Sequence, residues 1–263
     1  MSGVSLSLAD RVAIISGGSR GIGAACVKMF VAAGAKVLFN YRSDKAAAQR
    51  VIKACGGEAH CTAVQLDLDS PASGKRLVDA AAKRFGQVDI LVANHGVWPA
   101  EDVAIEKMSD EQWRRTLSVN LDAVFGLVKY SVAQMKSQKA RNKKAAGHIV
   151  IISSTSGQRG EAFHADYSAS KGALISFTKS LAAELAEYHI YVNCVAPGWV
   201  ATDMAAPALS DPAVGKEIKE TIPLGRPGIP EEIAAPVLFL CTGHASFITG
   251  EIFNVNGGAV LVG

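Results

Sequence analysis

Seven short apolar runs, each separated from the next by a stretch of helical period, leave this chain few folds to choose from. The runs cover residues 12–16, 36–40, 61–66, 89–94, 148–153, 190–196 and 252–256. Most are continuously apolar rather than alternating, the pattern of parallel strands covered on both faces. Between them, residues 22–33, 46–54, 72–85, 110–136 and 168–188 read as helices. Gly34, Gly56 and Gly86 follow three of these, as residues just past helix ends often do. The alternation predicts an α/β fold: a doubly wound, seven-stranded parallel sheet with helices on both faces and right-handed crossovers.

No break in composition divides the chain, so residues 1–263 read as a single domain. The one shift is the segment 201–230, rich in Ala, Pro and Gly, which interrupts the strand–helix rhythm after the sixth run. Loops leaving the C-terminal ends of strands surround the ligand crevice of such sheets, so this segment is expected to be a substrate lid. Apolar residues make up 49% of the chain and charged ones 19%, which excludes a disordered or fibrous class. The net charge of +3 is small, and its densest cluster, 136–144, reads as a solvated helix end rather than a nucleic-acid patch. Five cysteines form no CxxC pair and sit among apolar neighbours, as free thiols in a reducing compartment do. The first ten residues lack the features of a signal peptide, and no apolar run approaches the roughly 18 residues of a membrane span. A cytoplasmic protein without membrane or nucleic-acid partners is expected.

The first strand runs into Ser16-Gly17-Gly18-Ser19-Arg20-Gly21-Ile22-Gly23 and then a helix. Glycines let a backbone turn sharply and approach a pyrophosphate, while a helix N-terminus offers free N–H groups and a positive dipole. A tight turn alone also uses glycine; the strand–turn–helix context favours the phosphate. After the second strand comes Asn40-Tyr41-Arg42-Ser43, with no carboxylate to hold a ribose 2′-hydroxyl until Asp44. Arg42 and Arg20 instead supply guanidinium groups suited to a 2′-phosphate, which favours NADP(H) over NAD(H). Asp67-Leu68 closes the third strand, where the aspartate by itself reads as a cap for the next helix.

Tyr167-Ser-Ala-Ser-Lys171 lies at the start of a long helical stretch, and a four-residue spacing puts both side chains on one face. An ammonium beside a phenol is expected to lower the tyrosine pKa toward the working range of acid–base catalysis. Upstream, the fifth strand ends in Ser153-Ser154-Thr155, where a hydroxyl can hydrogen-bond a substrate oxygen as charge develops on it. Asn120 sits in the helical stretch before that strand. No histidines and carboxylates have metal-ligand spacing, so no metal is expected.

Together these motifs resemble the short-chain dehydrogenase/reductase family over nearly the whole chain, from the Gly17-xxx-Gly21-x-Gly23 turn to Asn256-Gly257-Gly258. The resemblance implies a Rossmann-type fold and a catalytic tetrad of Asn120, Ser154, Tyr167 and Lys171. It implies cofactor contacts at Gly17, Ser19, Arg20, Gly21, Ile22, Gly23, Asn40, Tyr41, Arg42, Ser43, Asp67, Leu68, Asn94, Gly96, Tyr167, Lys171, Pro197, Gly198, Val200 and Thr202. Asn120 is then expected to position a proton-relaying water, and Lys171 to hold the nicotinamide ribose. One departure is His95, where the family has alanine in Asn-Asn-Ala-Gly; it reads as a bystander near the cofactor rather than an extra acid or base. Within the family, 3-oxoacyl-acyl carrier protein reductases resemble this chain in residues 18–23 and 40–43. They imply an acyl-thioester substrate and an acyl carrier protein partner met by basic residues, here Lys143 and Lys144, although Tyr188 or His189 stands where such enzymes have an arginine. A sugar, polyol, steroid or other small alcohol is the rival substrate, and a non-catalytic cofactor-binding regulator the rival class. Trp98, Trp199, Phe163 and His164 flank the motifs as pocket or core residues, and relatives imply a homotetramer.

Overall fold

The computed structural model describes residues 5–138 and 146–262; Lys143 and Lys144 lie outside them. Seven strands, β1 (Val12–Ile15), β2 (Lys36–Tyr41), β3 (Cys61–Gln65), β4 (Ile90–Ala93), β5 (Gly147–Ile152), β6 (Ile190–Pro197) and β7 (Ile252–Val255), form one parallel sheet. Their order is β3-β2-β1-β4-β5-β6-β7. The chain starts in the middle, winds out to β3, returns to pair β4 with β1 and then winds the other way. The β1/β4 boundary is therefore the switch point at which ligands bind in open sheets.

The described helices are α1 (Gly21–Ala32), α2 (Lys45–Ala54), α3 (Pro71–Phe85), α4 (Asp110–Leu117), α5 (Ala123–Ser137), α6 (Thr155–Arg159), α7 (Ala165–Leu185), α8 (Ala206–Ser210), α9 (Pro212–Glu220) and α10 (Pro230–Leu240). Successive residues of each strand feed opposite cores, as the pleat requires. Ala13 and Ile15 pack with Val27 and Phe30 of α1, Val51 of α2 and Val237 of α10. Ile14 packs instead with Leu77 of α3, Leu127 of α5 and Leu174 of α7. Both faces being covered is why the strand sequences carry no polar alternation.

Helix ends follow local chemistry. Gly86 closes α3 in the left-handed conformation (φ 78°). Asp44 caps α2 by accepting the Ala47 N–H, and Ser70, rather than Asp67, caps α3. The helix expected over 110–136 is interrupted by a π-turn, Ser118–Asp122, between α4 and α5. The dihedral angles stay helical at both ends of the turn (Ser118 φ −57°, ψ −47°), and the bonding merely slips by one residue, so no glycine or proline marks it. The 201–230 segment contains α8 and α9, the latter capped by the Asp211 carboxylate on the Ala213 and Val214 N–H groups. All five cysteines are buried free thiols. No helix of the described residues is long and apolar enough to cross a membrane.

Candidate active site

Along the C-terminal edge of the sheet lies a cavity of about 570 Å³ that takes in loops from β1, β2, β3, β4, β5 and β6. Every residue expected at the site lines it except Gly23 and Asn120, which lie beneath its wall.

At one end, the glycine turn leads from β1 into α1. Gly17 has a φ of 66°, accessible to glycine at little cost, and its N–H donates to Asn40 Oδ1 at 2.8 Å. Gly23 explains its own identity: a Cβ there would stand 2.2 Å from the Gly17 carbonyl oxygen. Asn40 braces the turn from below, also donating to the Leu66 carbonyl, and Asn94 donates to the Ser16 carbonyl. Both asparagines therefore shape the cradle with their side chains rather than offering them to a ligand. The N-terminus of α1 has no side-chain cap and no acidic residue in its first turn. Its orphan N–H groups and dipole thus face the cavity, and the donor set fits a dinucleotide phosphate. Arg42 and Ser43 line the adjacent wall, suited to a 2′-phosphate. Arg20 is engaged elsewhere, paired at 3.2 Å with Asp203 at the start of the 201–230 segment.

His95 is bound on both sides. Its Nδ1 lies 2.8 Å from Ser16 Oγ and its Nε2 3.0 Å from the Val119 carbonyl oxygen. A carbonyl only accepts, so Nε2 carries the proton and Nδ1 accepts from Ser16, whose oxygen in turn takes the Asn94 and His95 backbone N–H groups. Desolvation, then the nearby Lys171 charge, push the imidazole pKa down to about 3. A neutral ring that ties β1 to the π-turn is a brace.

At the other end stand Ser154, Tyr167 and Lys171. Ser154 follows β5 and caps α6, its Oγ accepting the Ser156 N–H at 3.1 Å. Tyr167 and Lys171 sit one turn apart on α7. Lys171 Nζ donates to the Ile152 carbonyl at 2.9 Å and lies 5.7 Å from the centre of the Tyr167 ring. The expectation of a lowered tyrosine pKa is not met in this structure. Burial pushes the Tyr167 hydroxyl up to about 12, against a downward pull from its hydrogen bond with Ser154, and Glu161 raises it further. Burial likewise pulls Lys171 down to about 8, so the ammonium itself is poorly solvated. Asn120, in the π-turn, is fully buried and its amide is already engaged: Oδ1 accepts the Val97 N–H, and Nδ2 donates to the Val97 carbonyl and Ser170 Oγ. That arrangement makes its side chain a brace for the loop after β4.

Aromatic rings gather where Trp98 and Trp199 line the cavity. Trp98 stacks on His164 (5.0 Å, 9° between planes) and meets Trp199 edge-on at 5.9 Å. Phe163, by contrast, is exposed and outside the cavity wall. Sequence reasoning missed Arg115, Arg159, Glu161 and Met204, which also line the cavity. Their only signal was proximity to the motifs.

A family model described as enoyl-(acyl carrier protein) reductase matches residues 17–260. The chain is 38% identical over 257 residues to the 3-oxoacyl-[acyl-carrier-protein] reductase of Salmonella typhimurium, covering 98% of this chain and 100% of that protein. It is 40% identical over 256 residues to the enzyme of the same name from Aquifex aeolicus, covering 96% and 98%. Among solved structures, a short-chain dehydrogenase/reductase of the glucose/ribitol dehydrogenase type from Brucella melitensis superposes with a TM-score of 0.88 at 32% identity, over 98% of this chain and 100% of that one. An Agrobacterium tumefaciens chain provisionally described as a 2-deoxy-D-gluconate 3-dehydrogenase, with bound NADP, superposes with a TM-score of 0.86 at 31% identity, over 98% and 99%.

Proposed function

Because the chain belongs to the short-chain dehydrogenase/reductase family, we propose that it is an NADP(H)-dependent oxidoreductase whose substrate is a 3-oxoacyl thioester. One observation carries this reading: a single cavity joins an uncapped, glycine-built helix N-terminus and Arg42 at one end to Ser154, Tyr167 and Lys171 at the other. The 3-oxoacyl-[acyl-carrier-protein] reductases to which the chain is similar over their full length support the substrate class.

Bound at the glycine turn, with Arg42 at its 2′-phosphate, the cofactor supplies the hydride. Tyr167, kept protonated by burial, gives its hydroxyl proton to the oxygen that reduction leaves negative. Ser154 holds that oxygen by a hydrogen bond that strengthens as the charge develops. Lys171, when charged, favours the loss of that proton, because its ammonium stabilises the phenolate left behind. Asn120 holds the π-turn and the loop after β4 in register with α7. The 201–230 segment closes over the substrate as a lid, within a single domain, while Trp98 and Trp199 wall the acyl side.

Mixing the protein with an acetoacetyl thioester and NADPH, and following loss of nicotinamide absorbance, tests the reading. Oxidation of polyols or sugars without thioester reduction would overturn it. That second reading has specific support: two neighbours in structure are described as sugar or polyol dehydrogenases. We further read the protein as a cytoplasmic homotetramer. The free buried thiols suit a reducing compartment, and the exposed Phe247, Leu261 and Phe125 suit subunit contact. Light scattering tests the assembly.

A further inference from the structure

Asp166 is wholly excluded from solvent, and no ion pair among the described residues reaches it. A buried carboxylate is tolerated only when donors satisfy it. Here Oδ2 accepts from Thr116 Oγ1 at 2.7 Å and Gln112 Nε2 at 3.2 Å, while Oδ1 accepts the backbone N–H of Tyr167 at 2.8 Å. Thr116 and Gln112 belong to α4; Asp166 belongs to the first turn of α7. That helix has no side-chain cap at His164, so the carboxylate also answers the helix dipole and one of its orphan N–H groups.

The connection is the outer of two that flank Tyr167. One turn later, Ser170 Oγ donates to the Tyr167 carbonyl at 2.7 Å and accepts from Asn120 Nδ2 at 3.1 Å. The main chain of Tyr167 is thus held from both sides, each time by a side chain bonded to the α4–π-turn unit that carries Asn120. We infer that Asp166 is a positioning residue, which joins α4 to α7 and fixes the height and rotation of Tyr167 relative to Asn120. The inference rests on Tyr167 as the proton donor proposed above. Asp166 touches neither substrate nor cofactor, and it does not line the cavity. Its effect therefore falls on the chemical step and not on cofactor binding.

Asp166→Ala, Asp166→Asn and Thr116→Val in the full chain test this. Three readouts are compared: kcat against KM for an acetoacetyl thioester, NADPH affinity by fluorescence, and Tyr167 ionisation by ultraviolet difference titration with Tyr167→Phe as blank. Misplacing a catalytic group by a fraction of an ångström costs rate, so Asp166→Ala is expected to lower kcat about tenfold or more with KM and NADPH affinity changed less than about twofold. Thr116→Val acts in the same direction and more weakly. Asp166→Asn keeps an oxygen for the Tyr167 N–H and restores most of the rate. The Tyr167 ionisation step moves in Asp166→Ala and returns in Asp166→Asn. A folded Asp166→Ala protein with wild-type kcat overturns the inference, as does a parallel decline of kcat, KM and NADPH affinity. If Asp166→Ala does not fold, a Thr116→Val protein with wild-type kcat overturns it. A wild-type protein that reduces some other ketone but no thioester contradicts only the proposed substrate, and the variants are then compared on that ketone. If no ketone is reduced, the ionisation step decides: an unmoved step overturns the inference.

Discussion

Lys171 gives its hydrogen bond to the Ile152 carbonyl oxygen, 2.9 Å away, while its Nζ stands 5.7 Å from the centre of the Tyr167 ring. The pair is therefore anchored to the end of β5 before any ligand arrives. Tyr167→Phe removes the proton and nothing of the anchor, so turnover is expected to fall by at least about a hundredfold. NADPH affinity should stay near that of wild type, and an active Tyr167→Phe protein would remove the proposed donor.

The pH profile follows from the same two groups. Lys171, at about 8, loses its charge well before Tyr167, at about 12. Reduction is expected to hold steady below pH 8 and to decline as pH rises through that value, because a neutral amine no longer stabilises the phenolate. Lys171→Arg, always charged, should move the alkaline limb upward; an unchanged limb assigns it to another group.

Arg42 is exposed on the cofactor wall, whereas Arg20 is paired with Asp203. Arg42→Ala is expected to raise the Michaelis constant for NADPH about tenfold, the size of one charge-assisted hydrogen bond, and to leave that for NADH nearly unchanged. Equal effects on both cofactors would refute a phosphate contact.

Gly23→Ala must push a methyl group against the Gly17 carbonyl, a backbone atom that cannot rotate away. The expected cost is about 1–3 kcal/mol of stability together with loss of NADPH binding. Gly243→Ala, with open space around its Cβ, is the control and should move Tm little. Calorimetry of both variants with and without NADPH checks the contrast.

His95 is neutral when folded, with its pKa depressed to about 3 from 6.5. The unfolded chain binds a proton at this site as pH falls below 6.5 and the folded chain does not, so acid erodes stability between 6.5 and about 3. His95→Ala abandons the hydrogen bonds to Ser16 and Val119 and should cost about 1–3 kcal/mol at pH 7. That penalty should shrink as pH falls toward 4, since the variant has no imidazole to protonate. Denaturant midpoints at pH 7 and pH 4.5 give the comparison; a penalty that grows in acid contradicts the neutral brace.

Much of this was legible in the chain itself. All seven apolar runs are strands, and those at the centre of the sheet, β1, β4 and β5, are buried on both faces, which leaves no choice but continuous hydrophobicity. Glycine positions announced the phosphate turn, since Gly17 and Gly23 answer steric demands that no other residue meets. What stayed hidden was cooperative. The slip at Ser118–Asp122 changes hydrogen-bond partners without changing helical dihedrals. The raised pKa of Tyr167 comes from burial, which the four-residue spacing to Lys171 does not reveal. Asp166 carries no motif or spacing that marks it in the sequence, and only the packing of α4 against α7 gives it partners.

The strand order has a consequence for how the chain is made. β1 to β3 are adjacent in sequence and can pair as soon as they are synthesised, whereas β1 meets β4 only after α3 has been added. The two walls of the cavity thus come from halves that mature in succession, and β7 closes the far edge last. Sheet pairings across such separations slow folding, because the chain must close large loops before any contact rewards it. A ribosome-bound fragment ending before β5 would display the glycine turn with an unpaired β4 edge beside it, a sticky intermediate that chaperones are suited to shield.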